Sequence, residues 1–186
     1  MASADEIYLR RALELASRAE AEGEVPVGAL VVVGDTIVAE GWNRPVGLHD
    51  PTAHAEILAL RAAGARLGRY RLLDATIYVT LEPCAMCTAA MVHARVRRLV
   101  FGAWDPRQGA AGSVFDLAHA RALNHSLDVF GGVLSAECGA QLKAFFQRRR
   151  SQPGAGPSTP EGTAHSSTSR SLRTLSTKRA ASQPRA

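Results

Sequence analysis

Ala75-Thr76-Ile77-Tyr78-Val79-Thr80-Leu81-Glu82-Pro83-Cys84-Ala85-Met86-Cys87 passes from β-branched and aromatic residues to a proline and then to two cysteines three positions apart. Ala75 to Thr80 has the composition of a strand, and proline is welcome at the start of a helix. The stretch therefore reads as a strand that runs directly into a helix, with Cys84 and Cys87 in the first helical turn. At i, i+3 spacing both sulfurs point to one side of that helix. The unpaired N–H groups and the positive dipole end at a helix start favour thiolate over thiol. Open α/β sheets place their sites at this end of the strands.

A partner for the two sulfurs lies upstream in His54-Ala55-Glu56. Thr52 is a candidate N-cap for a helix running through Ile57, Leu58 and Leu60 to about Gly64, which puts His54 and Glu56 in its first turn. One imidazole and two thiolates are the ligand types of a tetrahedral zinc site with one position left for water. Zinc lowers the pKa of such a water to near 7. Glu56, two positions after His54, is turned away from the metal face of a regular helix and suits an acid/base role. A redox pair is the alternative for Cys84 and Cys87, but the flanks are not thioredoxin-like. Cys138 reads as a core residue rather than a fourth ligand. His49, His93, His119 and His125 have no metal-ligand spacing to one another. His-x-Glu with Pro-Cys-x-x-Cys is the signature of zinc-dependent nucleobase deaminases. In that chemistry Glu56 takes a proton from water and oxygen adds to the carbon bearing an amino group. Glu56 then delivers protons to the ring nitrogen and the departing ammonia.

The remaining chain supplies an α/β framework around these two stretches. Ser3-Ala4-Asp5-Glu6 has the form of a capping box, opening a helix with Ile7, Leu13, Ala16 and Ala19 inward and Gly23 placed to stop it. Val25 to Val33 reads as a buried strand, Gly34-Asp35 as a two-residue hairpin turn, and Thr36 to Glu40 as the returning strand. Further strands are expected over Arg98 to Ala103 and within Ser126 to Val133. A last helix is expected from Leu134 to about Arg150, with Leu142, Phe145 and Phe146 facing in. Strand–helix alternation after residue 41 implies parallel strands with helices packed on the sheet.

The chain has 186 residues and a formal net charge of +5. Residues 151–186 hold five basic residues against Glu161 alone, a net of +4 that leaves +1 for residues 1–150. The basicity therefore says little about what the folded part binds. Residues 151–186 are rich in Ser, Thr, Pro, Gly, Ala and Arg, with Leu172 and Leu175 their only large apolar residues. Such a segment buries too little to offset its ordering entropy, so we expect a folded domain over 1–150 and a disordered basic tail over 151–186. Three cysteines with one close pair fit a reducing compartment. Neither a secretory start nor an apolar run of membrane-spanning length is visible, so a soluble, cytoplasmic protein is expected.

Several blocks outside the metal motif resemble the bacterial tRNA-specific adenosine deaminase family. They are Glu24-Val25-Pro26-Val27-Gly28-Ala29, Gly41-Trp42-Asn43-Arg44-Pro45, Asp50-Pro51-Thr52 before Ala53-His54-Ala55-Glu56, and Thr80-Leu81-Glu82-Pro83 before Cys84. Phe101-Gly102-Ala103, Asp105, Gly109-Ala110-Ala111-Gly112-Ser113 and Leu123-Asn124-His125 continue the match, which spans about residues 5–150. The resemblance implies a three-layer cytidine deaminase-like fold, α/β, with a central mixed five-stranded sheet flanked by helices. It implies a homodimer with one Zn2+ per subunit, and hydrolysis of adenosine to inosine at the wobble position of a tRNA anticodon. On that resemblance His54, Cys84 and Cys87 bind zinc and Glu56 shuttles protons. Asn43 hydrogen-bonds the flipped base, and Ala55, Asp105, Phe146 and Arg149 lie on the substrate side, against the anticodon stem-loop. Trp104 stands where the family usually has a polar residue, and the tail has no counterpart there.

Two other functions share some of these features. A small-molecule deaminase acting on free guanine, cytosine or a nucleoside would use the same zinc machinery. A non-catalytic zinc RNA-binding module would keep the ligands without needing Glu56. The blocks around Asn43 and from Asp105 to Ser113 favour tRNA over a free base.

Overall fold

The computed structural model describes residues 2–151. In chain order the elements are α1 (Ala4–Ala21), β1 (Gly28–Val33), β2 (Thr36–Trp42), α2 (Ala55–Leu67), β3 (Ala75–Leu81), α3 (Ala85–His93), β4 (Arg98–Ala103), β5 (Asp128–Gly131) and α4 (Ser135–Ser151). The expected tail lies, apart from Ser151, outside the described residues.

The five strands form one mixed sheet in the order β2-β1-β3-β4-β5. β1 pairs antiparallel with both β2 and β3, while β3, β4 and β5 run parallel. The parallel half follows from the alternation of strands and helices, and the antiparallel edge from the Gly34-Asp35 turn. Gly34 has φ of 60°, the left-handed value that a tight hairpin needs at its first turn position and glycine adopts without strain.

Side-chain alternation divides the core into two layers. Ala29, Val31, Ile77, Val79, Leu99 and Phe101 face α2 and α3. Leu30, Val32, Tyr78 and Val100 face the other way, joining Leu9, Ala12 and Leu15 of α1 and Cys138 of α4. Strands covered on both faces become near-continuous apolar runs, as in Gly28–Val33. Helices lie close on the sheet where side chains are absent. A Cβ on Gly41 would lie 2.7 Å from the Ala59 nitrogen, so this glycine seats α2 on β2.

The structure corrects several local expectations. The capping box at Ser3 and Glu6 is present, but α1 buries Leu9, Ala12, Leu15, Ala16 and Ala19, while Ile7 is exposed. Two positions on a helix are about 200° apart, so a stripe through Leu9 turns Ile7 outward. β1 starts only at Gly28; just before it the Val27 N–H turns back to the Val25 carbonyl at 2.8 Å, and both valines line the cleft described below. Thr52 is not the N-cap of α2; His54 is, and the helix continues past Gly64 to Leu67, where Gly68 ends it with φ of 64°. α3 likewise begins after Cys84, its N-cap, rather than at Pro83. On α4, Phe145 is buried as expected, whereas Phe146 is exposed.

One polar cluster ties α1 to the sheet. Arg98 on β4 donates from Nη1 and Nη2 to the two oxygens of Asp5, each at 2.8 Å, and the Tyr78 hydroxyl donates to Asp5 Oδ1 at 2.9 Å. The hydrogen bond from Arg98 leads in holding the Asp5 carboxyl below its ordinary range, aided by Tyr78 and opposed by partial burial. A lowered pKa in the folded state adds stability at pH above the unfolded value near 4, and that stability is lost as pH falls through the folded value. Asp5→Asn is therefore expected to cost about 1–2 kcal/mol at pH 7, a magnitude discounted for the pair's partial exposure. Urea unfolding at several pH values checks this, since the gap to wild type should close as pH drops below about 4.

Candidate active site

The two helix starts singled out from the sequence meet. His54 has extended backbone (φ −72°, ψ 152°), as does Cys84 (φ −72°, ψ 173°), and each is the residue from which its helix springs. His54 Nδ1 lies 3.7 Å from Cys84 Sγ and 3.6 Å from Cys87 Sγ. A tetrahedral ion with Zn–N and Zn–S bonds of roughly 2.05 and 2.3 Å separates N from S by about 3.6 Å. The donor set therefore fits zinc in type and in spacing. Among the described residues these three form the one cluster of His, Cys, Asp or Glu with ligand atoms close enough to share an ion.

The two sulfurs titrate as a pair, the contact between them lowering Cys84 and raising Cys87. Contact with Cys87 leads in pulling the Cys84 thiol down to about 4, with His54 contributing. His54 is in turn raised, chiefly by its contact with Cys84. Glu56 is not one of the clustered ligands and is 4% exposed. Burial pushes its carboxyl up to about 7, a range in which a carboxylate both accepts and returns protons near neutrality.

Asn43, just past β2, solves a local problem. His54 makes no side-chain cap for α2. Asn43 Oδ1 instead accepts from the Ala55 N–H at 2.9 Å, supplying the missing acceptor from another segment. The Asn43 amide nitrogen remains available beside the cleft that Asn43 lines. Its loop is braced by Glu22, which accepts from Trp42 Nε1 and Arg44 Nε at 3.1 and 2.9 Å. Glu24, 3% exposed, accepts from the Gly47 N–H at 2.8 Å.

A cleft of about 620 Å³ opens over His54, Glu56 and Cys84. Val25, Val27 and Asn43 line one part of it, Asp105 to Gln108 another, and Leu142, Lys143, Phe146 and Arg150 of α4 a third. Of the residues expected on the substrate side, Asn43, Asp105 and Phe146 reach the cleft. Asp105 Oδ1 is also engaged with its own loop, accepting from the Arg107 and Gln108 N–H groups. Ala55 and Arg149 are not among the lining residues. Ala55 is wholly buried with its N–H held by Asn43, and the Arg149 guanidinium lies 5.7 Å over the Phe145 ring. Lys143 and Arg150 line the cleft instead, with Phe146 forming an i, i+3, i+7 stripe. Trp104 is absent from the lining and stands edge-on to Phe101 at 4.7 Å. Sequence reasoning passed over Glu24 and Glu82, both buried, because a glutamate in a loop looks like a solvated charge until its amide partners are located.

A cytidine deaminase-like sheet with a His-Cys-Cys donor set and a buried glutamate beside it defines a zinc-dependent deaminase. The profile of the cytidine and deoxycytidylate deaminase zinc-binding region matches residues 2–103. The chain is 53% identical over 150 residues to the tRNA-specific adenosine deaminase of Haemophilus influenzae, covering 80% of this chain and 86% of that one. It is 44% identical over 146 residues to the enzyme of the same name from Bacillus subtilis, covering 78% and 91%. A solved structure from work on A-to-I editing by tRNA:A34 deaminases at the wobble position superposes with a TM-score of 0.70 at 42% identity, covering 72% of this chain and 97% of that one. Guanine deaminase from Nitrosomonas europaea superposes at 0.64 with 28% identity, covering 75% and 83%. The chain belongs to the tRNA-specific adenosine deaminase family.

Proposed function

We propose that this chain hydrolyses the exocyclic amine of adenosine at the wobble position of a tRNA anticodon, giving inosine and ammonia. His54, Cys84 and Cys87 hold one zinc per subunit, which when bound supplies a water that loses its proton near neutral pH. Glu56 accepts that proton and returns it to the ring nitrogen beside the reacting carbon. Once oxygen has bonded to that carbon, Glu56 takes the proton of the added hydroxyl and passes it to the amine, so that the carbonyl of inosine forms as the carbon–nitrogen bond breaks and ammonia leaves. Asn43 orients the base through its amide nitrogen while its oxygen stays on α2.

The observation that carries the choice of RNA is the extent of the cleft. It runs from Glu56 to a stripe of Lys143, Phe146 and Arg150, joined by Arg107 on the facing loop. A free base would need only the pocket around Glu56. An extruded nucleotide with flanking residues uses an aromatic side chain for stacking and cations for phosphates. The substrate element is the anticodon stem-loop, and residues 1–150 constitute the deaminase domain. The protein works as a homodimer in the cytoplasm. Among the described residues no helix is long and apolar enough to cross a membrane.

Incubating the purified protein with an anticodon stem-loop carrying wobble adenosine should yield inosine, read by nucleoside chromatography. Efficient deamination of free guanine, with the stem-loop untouched, would overturn the reading.

A further inference from the structure

Glu82 borders the cleft, is 2% exposed, and has no task in the proton transfers. Its carboxylate faces backbone. Oε1 accepts from the N–H groups of Ala111 and Ser113 at 3.1 and 2.9 Å. Oε2 accepts from the Asp105 N–H at 3.0 Å and from the Ser113 hydroxyl. Four donors thus meet the roughly four lone-pair sites of an ionised carboxylate. All come from a single loop, 23 to 31 residues further along the chain.

The loop is drawn in until no side chain fits between. A Cβ on Gly109 would overlap the Glu82 carboxyl and lie 2.6 Å from the Asp105 carbonyl oxygen. The same segment is pinned again when Ala110 N–H donates to the Pro83 carbonyl at 2.8 Å. Its outer side, Asp105 to Gln108, is a wall of the cleft. Glutamine would not replace Glu82, because its amide presents N–H groups to N–H groups and keeps only one accepting oxygen.

We propose that Glu82 is a positioning residue for substrate: it fixes the Asp105–Ser113 loop as a preformed wall, and so acts on RNA binding rather than on proton transfer. This rests on the RNA reading above. A preformed wall spares binding the cost of ordering the loop, so losing it weakens substrate capture more than turnover.

The test compares the full-length, zinc-loaded wild type with Glu82→Gln and with Gly109→Ala, which strains the same contact from the loop side. In Glu82→Gln the Ala111 and Ser113 amides should exchange with solvent about tenfold faster or more, while α2 and α3 amides keep their protection. KM for the anticodon stem-loop should rise about tenfold with kcat within about twofold of wild type. Gly109→Ala should move both readouts the same way, and zinc content should be unchanged in both variants. Unchanged loop protection, a fall in kcat at constant KM, or loss of zinc would each overturn the proposal. A wild type inert toward every stem-loop would sink the RNA reading instead, and the exchange comparison would still decide whether Glu82 holds the loop.

Discussion

Glu56→Ala is expected to lower kcat on the stem-loop by about 10³-fold or more while zinc stays at one equivalent per chain. General acid–base catalysis contributes about 10²–10⁴-fold, and Glu56 is proposed for more than one proton transfer in the cycle. The clustered ligands are His54, Cys84 and Cys87 without Glu56, so removing its carboxyl should leave the metal in place. Elemental analysis beside single-turnover kinetics decides the matter, and loss of zinc would reassign Glu56 as a ligand. A thermodynamic signature accompanies the kinetic one. Burial raises the Glu56 carboxyl in the folded protein to about 7, above its unfolded value near 4.3. An acid raised in this way costs stability at pH above the unfolded value, and the cost grows until pH passes the folded one. Metal-free Glu56→Gln should therefore unfold at higher urea than metal-free wild type at pH 7. The difference should vanish below about pH 4.

Cys87→Ala is expected to remove both the metal and the activity. Cys87 is fully buried, and its sulfur lies 3.6 Å from His54 Nδ1, so two donors would remain where a zinc site with an open position needs three. Inosine formation should fall to background and zinc to a trace by elemental analysis. The fold should survive, because both faces of the sheet are packed by apolar side chains of four helices. Circular dichroism should show native helix content, with a lowered Tm that matches chelator-treated wild type. Full zinc occupancy in the variant would overturn the ligand assignment.

The donors and the sheet were legible for a shared reason: each depends on short-range pattern. Ala75 to Thr80 is a strand by its β-branched residues, and the Cys84 and Cys87 spacing holds wherever the helix begins. Helix starts were less legible. His54 adopts ψ of 152° as the N-cap of α2, and nothing near Thr52 announces this. The basic run Arg148-Arg149-Arg150 carries no rotational phase, since one residue on a helix is a turn of about 100°. The buried Phe145 sets that phase, placing Lys143, Phe146 and Arg150 at the cleft and Arg149 elsewhere. Glu82 was invisible as a functional residue because its donors follow 23 or more positions later.

Asn43 lends its oxygen to a helix it does not belong to, and this constrains how such a protein can diversify. Evolution toward a new base would change the side chain that touches it, yet position 43 also starts the helix that carries His54 and Glu56. Only replacements that keep a short acceptor, such as aspartate or serine, preserve that start. Most others would trade stability for selectivity at one step, so the accessible mutational paths through this position are few.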